Sequence, residues 1–312
     1  MWERFSFYGM RALLVLFLIG EVQRGGMGLN DKVATAIYGL YMAGVYLAAL
    51  PGGWAADRLL GAQRAVLIGG CLIMVGQFAL VLPASESFYL GLVLLVLGTG
   101  LLKPNISTIV GRLYPEGGAR QDAGFTLFYM GINIGAAIGP LVCGQLRLWY
   151  GWHYGFGAAG VGMVLGLLQF LATRRHLGEA GLRPGVRPRR RDWCLAGIGL
   201  AAIGTVTMLA ETRVLALDPV QLARGTAWLI LGVGVAYFAY LFLLYDLTAT
   251  EKKRLAVVVI LFLAAAAFWA DTNRPARPSP CLRSGTPTAG CSPARGAARL
   301  PRNGSSRSTP FS

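Results

Sequence analysis

Trp2-Glu3-Arg4-Phe5-Ser6-Phe7-Tyr8-Gly9 stands at the start of the chain and leads almost directly into an apolar run from Ala12 to Ile19. This pattern predicts a membrane-spanning helix that opens with a carboxylate and a guanidinium. A charge costs about 2.5–3.5 kcal/mol at the centre of a membrane helix, so it is usually kept only where it faces a bundle interior or a water-filled path. The pattern therefore predicts a helical membrane bundle with a charged inner face.

The polar residues of this first helix form a stripe. With 3.6 residues per turn, Arg4, Tyr8 and Arg11 fall on one face, and Glu3 lies at its edge. Ionisable residues inside a membrane indicate a functional site by default. We therefore take these four residues as site candidates.

Composition supports the membrane assignment. The chain is 55% hydrophobic and 14% charged, whereas an ordinary soluble domain is about 25% charged. A net charge of +15 would suggest nucleic acid in a soluble protein. Here most Lys and Arg lie between apolar runs or in the segment 271–312. Basic residues in the loops between membrane spans set the topology of the protein. No nucleic-acid partner is expected.

A window of about 20 residues predicts nine membrane spans. They are Phe5 to Ile19, Ala34 to Leu50, Ala65 to Leu82, Tyr89 to Val110, Phe125 to Leu146, Phe156 to Ala172, Cys194 to Leu209, Thr226 to Tyr245 and Leu255 to Ala270. If the N-terminus is cytoplasmic, each strongly basic loop falls on the cytoplasmic side, as the positive-inside rule requires.

Cysteine and histidine usage argues against metal and nucleophile chemistry. Cys71, Cys143 and Cys194 sit singly in apolar spans without ligand spacing, so they are expected to be buried neutral thiols. His153 and His176 fall in loops and have no partner pattern. No cofactor or metal is expected, and an integral-membrane enzyme is not supported.

The segment Gly53 to Arg64 joins the second and third spans. It resembles the G-x-x-x-D-R-x-x-G loop of the major facilitator superfamily, in which glycines allow a tight turn. The resemblance assigns a gating role to Gly53, Asp57, Arg58, Gly61 and Arg64, and Asp57 is expected to receive Arg58, Arg64 or a helix N-terminus. A short cytoplasmic loop that merely collects Gly and Arg is the alternative.

Lys103 lies inside the fourth span and is followed by Pro104, Asn105 and Ser107. Because apolar residues flank it on both sides, Lys103 needs an acidic partner. Pro104 opens the helix hydrogen-bond ladder, which Asn105 and Ser107 could refill. A packing kink and a moving hinge both remain open for Pro104.

Two motifs connect these features to one family. Glu3-Arg4-Phe5 and Tyr8 match the E-x-x-E-R-F-x-Y-Y motif of the proton-dependent oligopeptide transporters, with Phe7 in place of the first tyrosine. Phe128-Tyr129-Met130-Gly131-Ile132-Asn133-Ile134-Gly135 matches the F-Y-x-x-[apolar]-N-[apolar]-G signature without a gap. The chain thus resembles this branch of the major facilitator superfamily from Met1 to about Ala270.

The resemblance implies proton-driven symport of di- and tripeptides across the cell membrane by alternating access. It places Glu3, Arg4 and Lys103 in proton coupling, and Arg4 and Lys103 also on the peptide carboxylate. Asn133, Tyr46 and Tyr8 would contact the peptide, whereas Tyr38 and Tyr41 are interpreted as packing or interface residues. Arg11 resembles an outer-gate arginine. The alternative for Asn133 is a helix-to-helix hydrogen bond.

The resemblance also predicts the organisation. An all-α membrane protein is expected, with a six-helix bundle over 1–174, a basic cytoplasmic loop over 175–193 and an extra helix pair over 194–245. A seventh core helix over 255–270 would precede a disordered tail over 271–312, which we interpret as frameshifted, with a true extension as the alternative. The motif's first glutamate would lie before Met1 and the second half is absent, so an inactive remnant is expected. A monomer in contact with lipid, peptide and protons is expected. A carrier of nitrate or another small solute is the alternative.

The charge pattern gives a testable topology. In a variant without the five native cysteines, Arg187→Cys should resist a membrane-impermeant thiol reagent on intact cells, and Ala216→Cys should react. Both should react after permeabilisation. The opposite labelling pattern would overturn a cytoplasmic N-terminus.

Overall fold

The computed structural model describes residues 1–114, 118–182, 189–211, 218–243 and 249–272. These residues form helices joined by short turns. The helices are α1 (Trp2–Ile19), α2 (Asp31–Leu47), α3 (Ala49–Ala55), α4 (Ala62–Ala79), α5 (Ser85–Leu113), α6 (Gly118–Tyr150), α7 (Trp152–Thr173), α8 (Arg190–Glu211), α9 (Pro219–Leu243) and α10 (Ala249–Thr272).

Within the described residues, each predicted span falls mainly on helix, and the all-α membrane fold is confirmed. Within the described residues, seven helical segments are long and apolar enough to cross a membrane. One of these segments, Asp31–Leu60, consists of α2, α3 and a π-helical turn from Ala56 to Leu60. The predicted loop at Gly53 to Arg64 is therefore mostly helical, because Ala56 and Leu59 are buried against the bundle. Gly61 alone makes the turn before α4.

Local signals in the sequence set several helix ends. The Asn30 side chain accepts a hydrogen bond from the Lys32 amide at the start of α2, as an N-cap residue does. Gly151 has a φ of 96° and separates α6 from α7. Asp218 caps α9 by accepting from the Val220 amide at 2.9 Å.

Two thiols and both histidines depart from the sequence prediction, and His176 lies in a short 3-10 helix over Arg174–Leu177 rather than in a loop. Cys143 is buried as expected, whereas Cys71 and Cys194 are exposed on their helices, because an apolar span has one face that points away from its neighbours. His153 lies in the first turn of α7 rather than in a loop, and its Nδ1 atom contacts the Val81 carbonyl.

The core of the bundle forms where α1 packs against α6 and α7, and where α4 packs against α5. A buried polar contact fixes α1 to α4: the Gln77 amide donates to the Ser6 hydroxyl at 3.1 Å. Both side chains are fully buried. A hydrogen bond of this kind between membrane helices contributes about 0.6–2 kcal/mol.

Close backbone contact joins α3 to α5. A Cβ atom placed on Gly52 would lie 2.1 Å from the Gly100 carbonyl oxygen. Asn105 reinforces this contact by donating to the Gly52 carbonyl at 3.3 Å and to the Leu101 carbonyl at 2.6 Å. Asn105 thus ties α5 to α3, whereas Ser107 donates to the Pro104 carbonyl at 2.9 Å.

The chain divides into two compact units, residues 1–234 and 235–312. The first unit holds α1 to α8 and the first part of α9. The described part of the second unit contains the end of α9 and α10, whose Phe238 and Phe262 rings lie 5.9 Å apart. From residue 273 onward, the predicted tail lies outside the described residues.

The α3–α5 contact predicts that neighbouring glycines respond differently to the same change. Gly52→Ala should lower the stability of the purified protein by about 1–3 kcal/mol, because the new methyl group meets backbone rather than a movable side chain. Gly53→Ala is the matched control, since its Cβ atom would meet nothing within 4 Å. Thermal unfolding in detergent measures both variants, and equal midpoints would contradict the contact.

Candidate functional site

The central charged pair of the site lies at the start of α1. The Arg4 guanidinium contacts a Glu3 carboxylate oxygen at 2.8 Å, and the two side chains are only 12% and 13% exposed. The other oxygen, Glu3 Oε1, is buried and has no hydrogen-bond partner among the described residues. One carboxylate oxygen is therefore held by a cation, and the second is available to a proton or a new donor.

Lys103 approaches the pair from α5. It is attracted by Glu3 and repelled by Arg4, but its ammonium directly contacts the ring of Tyr46, at 4.2 Å from the ring centroid. This is a cation–π contact, worth about 0.5–2 kcal/mol. The sequence suggested an acidic partner for Lys103. In the structure, Glu3 forms its ion pair with Arg4, and Lys103 contacts the aromatic ring of Tyr46.

Arg11 lies two turns further along α1 and belongs to a second cluster. Its guanidinium donates to the Tyr38 hydroxyl and lies 6.0 Å from the ring centroid of Tyr8. Tyr38 packs against the core, as expected for a packing residue, and its hydroxyl also accepts a hydrogen bond from Arg11. An Arg–Tyr pair on two separate helices leaves no local spacing pattern, so the sequence could not reveal it.

Tyr41 is buried, as expected for a packing residue, and its ring stacks on Phe7 at 6.5 Å. Its hydroxyl group, however, is buried without a hydrogen-bond partner among the described residues. It also lies within electrostatic range of Glu3. Arg4, the amino group of Met1 and Lys103 all attract the Glu3 carboxylate, and the Tyr41 phenol lies nearby.

Asn133 is exposed on α6, and within the described part of the chain its amide has no hydrogen-bond partner. The motif over 128–135, which contains Asn133, packs on the charged pair through Gly135. A Cβ atom placed on Gly135 would lie 3.1 Å from the Cβ atom of Arg4. Asn133 and Tyr46 thus present free polar groups, and Tyr46 is 60% exposed.

The gating candidates lie in the last part of α3, in the turn that follows it and at the start of α4. Asp57 contacts Arg112 of α5 at 3.9 Å rather than Arg58, Arg64 or a helix N-terminus. Arg58 instead contacts Asp192 of α8 at 3.7 Å. Neither partner was identified in the sequence, because both are distant along the chain. Gly53 lies inside α3, and Arg64 is exposed on α4.

The described residues bring Glu3, Arg4, Lys103 and Tyr46 together, with Tyr8 and Arg11 further along α1. Asn133 is exposed on α6, two positions before the Gly135 that packs on Arg4. Within the described part of the chain, no cluster of three or more His, Cys, Asp or Glu side chains could hold a metal ion. The arrangement offers cations for an anionic group, one ionisable carboxylate and exposed amide and phenol groups. These are the chemical groups that binding a small zwitterion and exchanging a proton would require.

Comparison with known proteins points in the same direction. Residues 63–273 match the model of the PTR2, or POT, family. The chain is 43% identical over 284 residues to the peptide transporter YePEPT of Yersinia enterocolitica, covering 86% of this chain and 55% of the relative. It is 37% identical over 280 residues to a di-/tripeptide transporter of Lactococcus lactis, covering 86% and 56%. The chain therefore spans about half the length of the curated relatives it matches.

Solved structures of such proteins share the fold. A mutant of the peptide transporter POT in complex with alafosfalin has a TM-score of 0.76 at 44% identity, covering 86% of this chain and 55% of that one. A POT family transporter in complex with a thioalcohol-conjugated peptide has a TM-score of 0.77 at 37% identity, covering 86% and 56%.

The charge count at the site predicts an asymmetric response to substitution. Glu3→Gln should destabilise the protein by about 3–5 kcal/mol, because it leaves Arg4 and Lys103 in a low-dielectric region without an anion. Lys103→Met should have a smaller effect, since Glu3 and Arg4 remain paired. The double variant should regain part of the loss. Equal destabilisation by the two single variants, measured by thermal unfolding in detergent, would contradict this arrangement.

Proposed function

This chain belongs to the POT family, and on that premise we propose that it forms the first half of a carrier that moves di- and tripeptides together with protons. The largely buried Glu3–Arg4 pair, with one carboxylate oxygen unpartnered among the described residues, is the observation that carries the proposal. Peptides are zwitterions, so their site needs cations for one end and neutral acceptors for the other.

Proton coupling follows from the chemistry of this pair. While Glu3 is ionised, it neutralises part of the charge of Arg4 and Lys103. When a proton binds the free Glu3 oxygen, the ion pair weakens, and both cations become available to the carboxylate of the peptide. Arg4 can bind that carboxylate with two parallel hydrogen bonds, and Lys103 acts as a point charge. Proton and peptide binding are thereby coupled.

The neutral side chains complete the proposed peptide site. The oxygen of the Asn133 amide can accept from the peptide ammonium without adding charge. Tyr46 supplies an exposed phenol while its ring steadies Lys103, and Tyr8 lies beside Arg11. Arg11 would close the outer side of the path. The turn region with Gly53, Asp57, Arg58, Gly61 and Arg64 would gate the cytoplasmic side.

The proposal extends to organisation and location. The first six spans, residues 1–174, would act as one rocking bundle, with a basic connection over 175–193, an extra pair over 194–245 and the start of the second bundle over 255–270. The carrier would lie in the cell membrane as a monomer, in contact with lipid and with its N-terminus in the cytoplasm. Alternating access requires two bundles that move against each other, so residues 1–272 alone should insert into membranes without transporting peptide.

Uptake by a completed carrier tests the proposal. In a chimera that joins this chain to the matching flanking segments of the Yersinia relative, dipeptide accumulation should require a proton gradient and should disappear on addition of a protonophore. Lys103→Ala should abolish that accumulation, because the peptide carboxylate loses one of its cations.

Lys32→Ala is the matched control, since Lys32 is exposed at the start of α2, and it should leave accumulation unchanged. Full accumulation in Lys103→Ala would remove Lys103 from the mechanism. A folded chimera that takes up no peptide would place the substrate outside this class.

A further inference from the structure

Gln63, at the start of α4, uses its whole amide group to hold the chain that follows α7. Its side-chain nitrogen donates to the Gly178 carbonyl at 3.1 Å and to the Ala180 carbonyl at 3.0 Å. Its side-chain oxygen accepts from Nε of Arg174 at 3.2 Å. The side chain is only 1% exposed, and no role in transport chemistry explains a buried amide at this place.

The backbone of the same turn is held by the same segment. The backbone amide of Gln63 donates to the Gly181 carbonyl at 3.0 Å. Gly61 has a φ of 80°, and a Cβ atom there would lie 2.7 Å from the Leu182 carbonyl oxygen. The turn between α3 and α4 is therefore covered by residues 178–182, and only glycine satisfies both the conformation and the space at position 61.

A second contact reaches the turn from the extra helix pair. One Asp192 carboxylate oxygen lies 3.7 Å from the Arg58 guanidinium, and the other accepts from the Arg189 amide at 3.0 Å, which caps α8. The Asp192 side chain is 8% exposed. The same carboxylate thus starts α8 and binds the residue that lies five positions before Gln63.

We propose that Arg174, Gly178, Ala180, Gly181 and Asp192 form a cytoplasmic clasp in which Gln63 and Asp192 are positioning residues for the gating turn. Within the clasp, α8 of the extra helix pair holds Arg58, and the chain at the end of α7 holds Gln63. The gating role of the turn rests on the proposed function, whereas the clasp itself rests on these contacts alone.

The clasp has a direct consequence for movement. The turn can separate from the end of α7 only if four hydrogen bonds to Gln63 break together. Loss of the donating group of Gln63 leaves two partly buried hydrogen bonds unmade, which raises the population of the open turn by about tenfold. The extra pair therefore influences how readily the turn is released.

Hydrogen exchange followed by mass spectrometry, on the purified full chain in detergent, tests the clasp. Gln63→Glu keeps the shape of the side chain but replaces the donating nitrogen with an oxygen that faces two carbonyls. It should speed exchange about tenfold in both segments 61–66 and 177–182. Asp192→Asn retains an oxygen for the α8 cap but loses the negative charge that pairs with Arg58. It should therefore speed exchange in the segment 56–66.

Asp218→Asn is the matched control, because Asp218 caps α9 through an exposed carboxylate. Arg58→Lys should preserve the exchange rate of the turn, whereas Arg58→Gln should reproduce the effect of Asp192→Asn. The Ser6–Gln77 region should keep its protection in every variant, which separates a local release from general unfolding. If Gln63→Glu or Asp192→Asn leaves the turn at the control rate, the clasp is wrong.

Uptake by the completed chimera tests what the clasp does. Gln63→Glu and Asp192→Asn should change the maximal rate of uptake and leave the KM for dipeptide unchanged, because neither residue touches the peptide site. An altered KM with an unchanged maximal rate would overturn the positioning role. If the unsubstituted chimera takes up no peptide, the proposed function fails while the exchange result still decides the clasp.

Discussion

The structure depends on the placement of three ionisable groups inside an apolar bundle. Glu3, Arg4 and Lys103 carry one negative and two positive charges where water is scarce. A carboxylate and a guanidinium at 2.8 Å satisfy each other, and Lys103 is steadied by the ring of Tyr46. In the proposed carrier, the excess positive charge would attract an added anion, since burial of unpaired charge is unfavourable. The α1–α6 and α3–α5 contacts keep the three groups together.

Much of the fold was predictable because membrane spans are long and their apolar character is unambiguous. The charged stripe of α1 and the position of Lys103 were also visible, since each interrupts an apolar run. Tyr46 was predicted to contact the peptide, whereas its contact with Lys103 was not predicted. Cation–π and ion-pair partners on different helices depend on helix rotation, which apolar spans specify only weakly.

The cytoplasmic turn shows the same limit. Its glycines and charges were recognised from spacing, and Gly61 does make the turn. The predicted partners of Asp57 were local, whereas its partner Arg112 lies on α5. Gln63 carried no signal, because a glutamine beside a basic loop is ordinary in sequence. Its importance arises from the connection after α7, which supplies three carbonyl groups and a guanidinium in one place.

The central claim is that Glu3 carries the coupled proton. Dipeptide-driven proton entry into proteoliposomes, followed with an internal pH-sensitive dye, measures this most directly in the completed carrier. We expect that Glu3→Gln continues to exchange labelled for unlabelled peptide across the membrane while dipeptide no longer drives protons inward. Undiminished proton entry in Glu3→Gln would contradict the account and assign the coupling to another group.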